Sequence, residues 1–356
     1  MKRSTKTMPL FCCSDPRRRL WRASPSVGGT TFIEMIIAMV CLSAIALATF
    51  EIMTQSQNTN STINAWNMLT QWSQKAIDQM NLDITQACVI YQNDSLGNDY
   101  KSKLQSDASF PALTTSRLPV INQNGTFGPE TTTTRTGNAL LYATNTMPFV
   151  SQALTTTRRV DMYRIVYYYL SPVTQTIGAN PTSLRLVKWT SQEFADYNQV
   201  MAITNAAEQA DFVMDLYLNS GIRYLWVPRN TQNNAFYAID EYGAVSGLPE
   251  PSFTIPTGID AQGNAMVSSV INDLGLGFAT VAWNNSAIFS TPDIVPKFAV
   301  GSAVGAGFPH GLEIQIIGPT GARQVMVRLV LAYVVSGAGQ NLYSNESHTI
   351  ATLREY

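Results

Sequence analysis

Residues 28–53, GGTTFIEMIIAMVCLSAIALATFEIM, decide the fold of this chain. Between Met35 and Phe50 the stretch contains no charged residue. The 24 residues from Thr30 to Met53 would measure about 36 Å as an α-helix, at ~1.5 Å per residue. That length exceeds the roughly 30 Å hydrocarbon core of a bilayer. The stretch therefore predicts one transmembrane helix over residues 30–53.

Charge is distributed unevenly on the two sides of this helix. Residues 1–29 contain seven Lys or Arg and one acidic residue, Asp15, whereas residues 30–356 contain 16 basic and 23 acidic residues. A basic segment before an apolar run is the pattern of a cytoplasmic N-terminus and an exported C-terminus. The pattern argues against nucleic-acid binding, because a nucleic-acid-binding domain carries its excess of positive charge on its folded part.

The composition favours an exported protein whose domain folds without disulfides. Of the 356 residues, 45% are hydrophobic and only 13% are charged, well below the usual quarter. Cys12 and Cys13 precede the helix, Cys41 lies inside it and Cys88 alone follows it, so the exported part has no pair for an internal disulfide. No CxxC and no Cys/His spacing typical of a metal site occurs. We predict no metal and no cofactor.

Glu34 interrupts the apolar run and separates its possible interpretations. An ionisable group in a spanning segment costs about 2.5–3.5 kcal/mol and is a functional candidate by default. An ordinary signal anchor gives Glu34 no role beyond reaching the headgroups. A secretory signal cut after Ala48 fits Ala46-Leu47-Ala48, but the residues around that cut are apolar rather than polar. A lipoprotein signal ending at Cys41 is discarded because Val40 is too bulky for the position before the cysteine.

The sequence Gly29-Thr30-Thr31-Phe32-Ile33-Glu34 resembles the signal of type IV prepilins and type II secretion pseudopilins. In that family a basic leader ends in Gly, and the mature chain begins with a small or apolar residue, Thr, an apolar pair and Glu. The resemblance implies that prepilin peptidase cleaves between Gly29 and Thr30 and that Thr30 is then N-methylated. Thr30 stands where Phe or Met is usual. Cleavage after Gly28 would move Glu34 from the fifth to the sixth position, so we place the cut after Gly29.

Glu34 is the predicted assembly residue for a physical reason. Cleavage creates a new α-amine on Thr30, about one helical turn from Glu34. An unpaired carboxylate and an unpaired ammonium are each costly inside a bilayer. The α-amine of an adjacent subunit neutralises Glu34 only at the correct axial stagger, so one charge pair sets the register of the subunits.

The resemblance also implies partners, location and function. The partners would be prepilin peptidase, other minor and major pilins or pseudopilins, an inner-membrane assembly platform and membrane lipid, with no direct nucleic-acid partner. The chain would cross the inner membrane once, with a cytoplasmic N-terminus and its C-terminal domain in the periplasm, outside the cell or in a filament. A minor pilin or pseudopilin of this kind helps to initiate or cap a pseudopilus or pilus and is not an enzyme. The alternative is a membrane-anchored adhesive or binding β domain that is not assembled into a filament.

The pattern downstream predicts an α+β fold in which a long helix packs on an antiparallel, β-rich, pilin-like domain. Residues 54–90 predict an amphipathic helix, because an apolar stripe that includes Ala76 and Met80 recurs at helical spacing. The stretch Asn58–Thr62 is poor in helix formers, which leaves a bend open there. Residues 91–136 are rich in Asn, Ser, Thr and Gly and predict a loop-like insertion or hidden short strands.

Strand patterns continue through the remainder of the exported domain, residues 91–356. The candidates are Ala139–Ala143, Tyr163–Leu170, Ser183–Trp189, 222–227, 278–283, Leu312–Ile317 and Gln324–Val334. The last two predict a hairpin around Gly318–Gly321, because Val325, Val327, Leu329 and Leu331 alternate at period two. Glu208–Leu218 fits either a helix or a strand, and His348 lies in a polar tail.

Three parts of the chain resemble the J-type minor pseudopilins of type II secretion and the related W-type minor pilins of type IV pili. They are Lys75–Ala87, the pair Arg164–Leu170 and Leu184–Trp189, and Phe308–Ile314. In that family an aromatic strand, a strand with basic residues and a Pro-led strand follow the helix in this order. Catalytic residues are not indicated, because neither histidine has a Cys, His or acidic cluster at metal spacing and no G-x-S-x-G motif occurs.

Overall fold

The computed structural model describes residues 31–104, 110–130, 135–151, 157–173, 183–228, 236–240, 242–247, 258–259, 265–266, 270–274, 279–281, 297–299, 311–335 and 341–353. The predicted leader, with the cleavage residues Gly29 and Thr30, lies outside these residues. The chain divides into two compact units between Asn58 and Thr59.

Helix α1 runs without interruption from Phe32 to Thr85. Neither Gly nor Pro occurs within it, and Asn58–Thr62 is helical throughout. The helix ends before the predicted boundary at residue 90, because Ala87–Tyr91 forms a strand, β1, that pairs with another strand. Pairing on the sheet therefore overrides the helical spacing that Ala87 shares with the apolar stripe of α1.

Shorter helices and strands make up the rest of the described fold. The helices are α2 (Ser95–Lys103), α3 (Tyr197–Met201) and α4 (Ala206–Asn219). The strands are β2 (Ile121–Asn122), β3 (Leu140–Asn145), β4 (Phe149–Ser151), β5 (Arg158–Val160), β6 (Met162–Val173), β7 (Ser183–Asp196), β8 (Tyr224–Trp226), β9 (Phe236–Ile239), β10 (Val245–Gly247), β11 (Gly258–Ile259), β12 (Ala265–Met266), β13 (Val270–Asp273), β14 (Thr280–Val281), β15 (Leu312–Ile317), β16 (Gln324–Val335) and β17 (Asn341–Thr352).

Most of the strands belong to one curled, mainly antiparallel sheet. Its principal order is β1-β3-β6-β7-β14-β16-β15-β2, and β17 pairs with β16 along its whole length. Among the described pairs, β15 with β2 and β7 with β8 are parallel. A long N-terminal helix with an antiparallel-rich sheet confirms the α+β class predicted from the sequence.

The C-terminal part of α1 packs on one face of this sheet. Its buried residues are Ala65, Leu69, Ser73, Ala76, Ile77, Met80 and Ile84. On β7, Leu184 and Leu186 belong to the same apolar cluster as this helical stripe, whereas Val187 and Trp189 belong to a cluster on the opposite face. The alternation that the sequence predicts for β7 therefore separates two apolar layers, as expected for a strand covered on both sides.

The β15–β16 hairpin agrees with the sequence prediction to within one residue. Gly318 and Gly321 in its turn have φ angles of +96° and +87°, in the region that glycine adopts without steric cost. A Cβ on Gly318 would lie 2.6 Å from the carbonyl oxygen of Ala322, so the close approach also requires glycine.

Other stretches complete or correct the sequence prediction. Helix α2 lies inside the stretch predicted as loop-like, where the Asp94 side chain accepts a hydrogen bond from the Gly97 N–H at 2.8 Å. The choice left open for Glu208–Leu218 is resolved as helix α4. The predicted polar tail that contains His348 is strand β17. Most residues of β17 are polar, so the sequence shows no apolar alternation that would predict a strand. The strand is defined by its pairing with β16.

Candidate functional site at the start of the apolar helix

The first part of α1 exposes apolar side chains on every side. Phe32 is 77% exposed, and large apolar residues stay exposed through Met53 at 62%. By length and composition, α1 is the one helix among the described residues that is able to cross a membrane, and none of its most apolar stretch is buried. A core helix of a soluble domain would be largely covered. The exposed apolar surface of α1 instead suits a hydrocarbon environment.

Glu34 lies in the first turn of α1 and binds the residue that precedes the helix. The backbone N–H of Thr31 donates to Glu34 Oε2 at 2.9 Å, and the backbone N–H of Glu34 donates to the Thr31 carbonyl oxygen at 2.9 Å. This is the carboxylate half of a capping box, in which the third helical residue reaches back to the N-cap. The negative charge also faces the positive end of the helix dipole.

The cap leaves Glu34 with further capacity to accept hydrogen bonds. A carboxylate has two oxygens and about four lone-pair directions, and the described bond uses Oε2 alone. The site therefore combines a local structural role with an oxygen, Oε1, that is able to meet a cation. The cap was not predicted from the sequence, although Thr31-Phe32-Ile33-Glu34 before an apolar run matches its T-x-x-E signature.

The hydroxyl groups along the apolar stretch are satisfied within the helix itself. Ser43 Oγ donates to the Met39 carbonyl oxygen at 2.6 Å, and Thr49 Oγ1 donates to that of Ile45 at 2.9 Å. Such bonds to the preceding turn remove the need for an external polar partner. Glu34 is the one charged residue between Thr31 and Phe50, and it therefore marks the N-terminal end of the apolar stretch.

In the β domain, a polar cluster joins the end of α1 to two strands. Asp83 Oδ2 accepts from both Lys188 Nζ and the Tyr168 hydroxyl, and Asp83 Oδ1 accepts from Gln79 Nε2 at 2.9 Å. Burial, together with the charge of Asp83, raises the pKa of Tyr168 well above its ordinary value, so the phenol stays protonated and donates. The described partners of the Asp83 carboxylate are thus structural residues of the domain, and the cluster fixes α1 on the sheet.

A second charged cluster binds a short segment to β15 and β16. Arg328 Nη1 lies 2.6 Å from Glu313 Oε2, and these side chains are 1% and 0% exposed. Glu313 also accepts the backbone N–H groups of residues 297–299 at 2.9–3.0 Å. Burial raises the pKa of Glu346, but hydrogen bonds and charge from Arg328 and Lys297 outweigh it and lower the value to about 2. Glu346 is therefore held as an anion by structural partners.

The three parts of the chain that carry the family resemblance meet in one apolar cluster. It contains Met80 and Ile84 of α1, Tyr168 and Leu186 of the two strands, and Ile314 of β15. Of the predicted signal residues, Glu34 belongs to the first compact unit, and Gly29 and Thr30 lie outside the described residues.

Within the described residues, no group of three or more His, Cys, Asp or Glu side chains is placed to hold a metal ion. His348 lies exposed on β17, and His310 falls outside the described residues. Comparison with models of protein families, with curated proteins and with solved structures found no match to this chain.

Proposed function

We propose that this chain is a prepilin-type minor pilin or pseudopilin, which helps to initiate or cap a type II secretion pseudopilus or a type IV pilus. The observation that carries the proposal is Glu34, one turn into an uncovered apolar helix and five residues after a Gly that ends a basic leader. An anchor has no need for a carboxylate at that depth, because the group costs about 2.5–3.5 kcal/mol on insertion scales. A subunit that must find one axial stagger does need it.

Two further features support the proposal. Helix α1 is continuous from Phe32 to Thr85, so an apolar stretch and an amphipathic stretch belong to one element. The order of helix, aromatic strand, basic strand and final hairpin is that of the J-type and W-type proteins that the sequence resembles. Prepilin peptidase, other pilins or pseudopilins and the inner-membrane assembly platform are the proposed partners, and the inner membrane is the proposed location.

One observation favours the alternative, a membrane-anchored binding domain. The cap between Thr31 and Glu34 gives the carboxylate a role inside its own chain, so the residue type alone does not require a second subunit. The two functions differ in what the charge does. A cap needs only an acceptor oxygen, whereas an intermolecular pair with an α-amine needs the negative charge.

Leader removal is the first test of the proposal. Protein purified from cells that contain prepilin peptidase should begin at Thr30 when its N-terminus is sequenced. Gly29→Val should leave the long precursor in the membrane, because the peptidase site accepts an extended backbone without a side chain at this position. An intact chain beginning at Met1, or one beginning at Thr49, would reject the cleavage assignment.

The Glu34 variants separate capping from charge pairing. Glu34→Gln keeps the cap, since glutamine occupies the same position in capping boxes, and removes the charge. Glu34→Leu removes both, and Glu34→Asp keeps the charge with a shorter reach. Each variant is scored for membrane level, leader removal and crosslinking to partner pilins. The proposal expects insertion in every case, with crosslinking lost in Glu34→Gln and Glu34→Leu and intermediate in Glu34→Asp. If Glu34→Gln crosslinks as well as the parent protein, the role of Glu34 is to cap the helix, and the anchored binding domain is favoured.

A further inference from the structure

Strand β17 is a long edge of the sheet. In the described structure it pairs with β16 alone, over residues 341–352 and without a register shift. The backbone N–H of Leu353 donates to the Arg323 carbonyl oxygen at 2.8 Å. These residues stand opposite each other, so 353 and every second residue before it direct their backbone groups toward β16. The outward groups therefore belong to Leu342, Ser344, Glu346, His348, Ile350 and Thr352.

Within the described residues this edge shows few of the features by which proteins block strand pairing, and its one acidic side chain, Glu346, is paired with Arg328 and Lys297. Its twelve residues contain no Pro, Lys or Arg, and the unbroken register contains no bulge. The edge strand at the other end of the sheet, β1, has five residues and an irregular register between Ala87 and Val89. One edge is thus short and irregular, whereas the other presents a regular row of outward N–H and C=O groups.

A groove lies beside the C-terminal end of β17. It has a volume of about 710 Å³ and is lined by Asn81, Gln86, Asn145, Ile350 and Thr352 among others. Gln86 and Asn145 are exposed, and their amides are able to donate to and accept from a peptide backbone. The apolar side chain of Ile350 is 52% exposed at the same place. The groove therefore offers both hydrogen bonds and apolar contact to a chain that continues past the strand.

We propose that β17 is a docking edge for an extended segment of a partner protein, which adds to the sheet as a further strand. The outward N–H and C=O groups repeat at every second residue, and an extended peptide is the ligand whose own groups repeat with that spacing. The partner segment would be about as long as β17, free of Pro at its paired positions, and would place one end in the groove.

A partner protein suits this edge better than a second copy of the chain paired antiparallel through β17. Contacts between Thr62 and Tyr343, Ser73 and Ser347, and Asn81 and Thr349 show that α1 follows β17 in the same direction. Antiparallel pairing of two β17 edges would set the two Thr59–Thr85 helices in opposite directions. Subunits inserted into one membrane from the same side share one direction, so this step of the argument rests on the proposed function.

The test uses the full-length protein in detergent and two variants of one residue. His348→Pro removes an outward N–H, and Pro is tolerated on an edge strand where that group faces away from the ladder. His348→Ala, the matched control, removes the same side chain and keeps the N–H. The probe is a fluorescent synthetic peptide of alternating threonine and valine, of about the same length as β17. A second probe carries N-methyl groups on the alternate nitrogens that would donate to the edge.

We expect the unmethylated peptide to bind the parent and His348→Ala within about twofold, and His348→Pro about three- to tenfold more weakly, since one hydrogen bond is lost. The N-methyl peptide tests the same hydrogen bonds without a change in the protein. It should bind neither the parent nor the two variants. Equal binding of both peptides to the parent, equal binding to both variants, or no binding at all would overturn the proposal.

Hydrogen exchange identifies the occupant of the edge. In the protein alone, the amides of Ser344, Glu346, His348 and Ile350 should exchange faster than the odd-numbered amides between them, and the peptide should protect them. Protection in the protein alone would mean that another part of the chain covers the edge. Protection that rises with protein concentration would mean a second copy, and both outcomes would overturn the proposal. Neither measurement depends on leader removal, so failure here is distinct from failure of the proposed function.

Discussion

Glu34 and Glu313 are both bound by backbone N–H groups, but in opposite surroundings. Glu313 is fully buried and accepts three backbone N–H groups and the Arg328 guanidinium. Glu34 lies in an exposed apolar helix and, among the described residues, accepts one N–H, from Thr31. The domain thus supplies hydrogen-bond donors to both oxygens of Glu313, whereas the described residues near Glu34 engage only its Oε2. We infer that charge serves the fold in one unit and association in the other.

Arg328→Leu should give the largest loss of stability in the β domain. It would leave Glu313 buried with its backbone donors but no opposite charge, and breaking a buried ion pair costs about 3–5 kcal/mol in the free energy of unfolding. Urea unfolding of the detergent-solubilised chain, followed by fluorescence of buried tryptophans such as Trp189, measures this change. Arg159→Leu is the matched control, because the side chain is 67% exposed and 3.7 Å from Asp161, and it should change the value by less than about 0.5 kcal/mol. Similar values for both variants would contradict the structural role of Glu313.

Lys188→Met tests the other charged cluster of the domain and should have a smaller effect. The variant removes the cation but leaves Asp83 bonded to Tyr168 and Gln79. A hydrogen bond to a charged group contributes about 1.5–3 kcal/mol, so the free energy of unfolding should fall by that amount. Lys75→Met changes an exposed residue of α1 in the same way and should be nearly neutral. A loss no larger than in the control would mean that the pair does not fix the helix on the sheet.

The stability that Glu346 contributes to the domain depends on pH. Its pKa is lowered from 4.5 to about 2, so its pairing stabilises the fold above about pH 4.5 and is lost as the pH falls toward 2. The thermal midpoint of Glu346→Gln should lie about 2–4 °C below that of the parent at pH 7, as expected for a partly exposed pair. The difference should vanish near pH 2. A difference that is constant over this range would show that charge is not its cause.

Glu34→Gln should give the smallest effect on folding. Glutamine keeps the described hydrogen bond between the Thr31 N–H and the side chain at position 34, so the free energy of unfolding of the domain should change by less than about 0.5 kcal/mol. The same urea experiment serves as the measurement. A loss comparable to that of Lys188→Met would indicate that Glu34 supports the domain, against the division of roles inferred above.

Sequence periodicity predicted the elements in which apolar residues alternate or repeat over many positions. The apolar helix, the stripe around Met80 and the β15–β16 hairpin are of this kind, because burial of one face dictates the pattern. Strand β17 was missed because its side chains are mostly polar. Its position depends on hydrogen bonds with β16, which no local pattern of β17 records.

The candidate site was predictable in its residues but not in its geometry. The apolar run and the basic leader were sufficient to select Glu34. The internal partner of Glu34 requires a helix that begins at Phe32, and the T-x-x-E pattern would have indicated that start. The charged clusters around Asp83 and Glu313 join residues that are 105 and 15 positions apart in sequence. The Asp83–Lys188 pair depends on how the helix and strands are arranged and was not accessible from spacing along the chain. Glu313 and Arg328, in contrast, stand opposite each other in the hairpin that the sequence predicts.

The three described side-chain hydrogen bonds between α1 and β17 have a mechanical consequence. They join Thr62 to Tyr343, Ser73 to Ser347 and Asn81 to Thr349, and so extend over about 28 Å of helix at ~1.5 Å per residue. A force along the axis of Thr59–Thr85 loads all three hydrogen bonds together in shear, so they are not broken one after another. The same pull loads the β16–β17 ladder in shear along its full length. Tension that enters the domain through this helix is therefore shared by the whole joint rather than borne by its first bond.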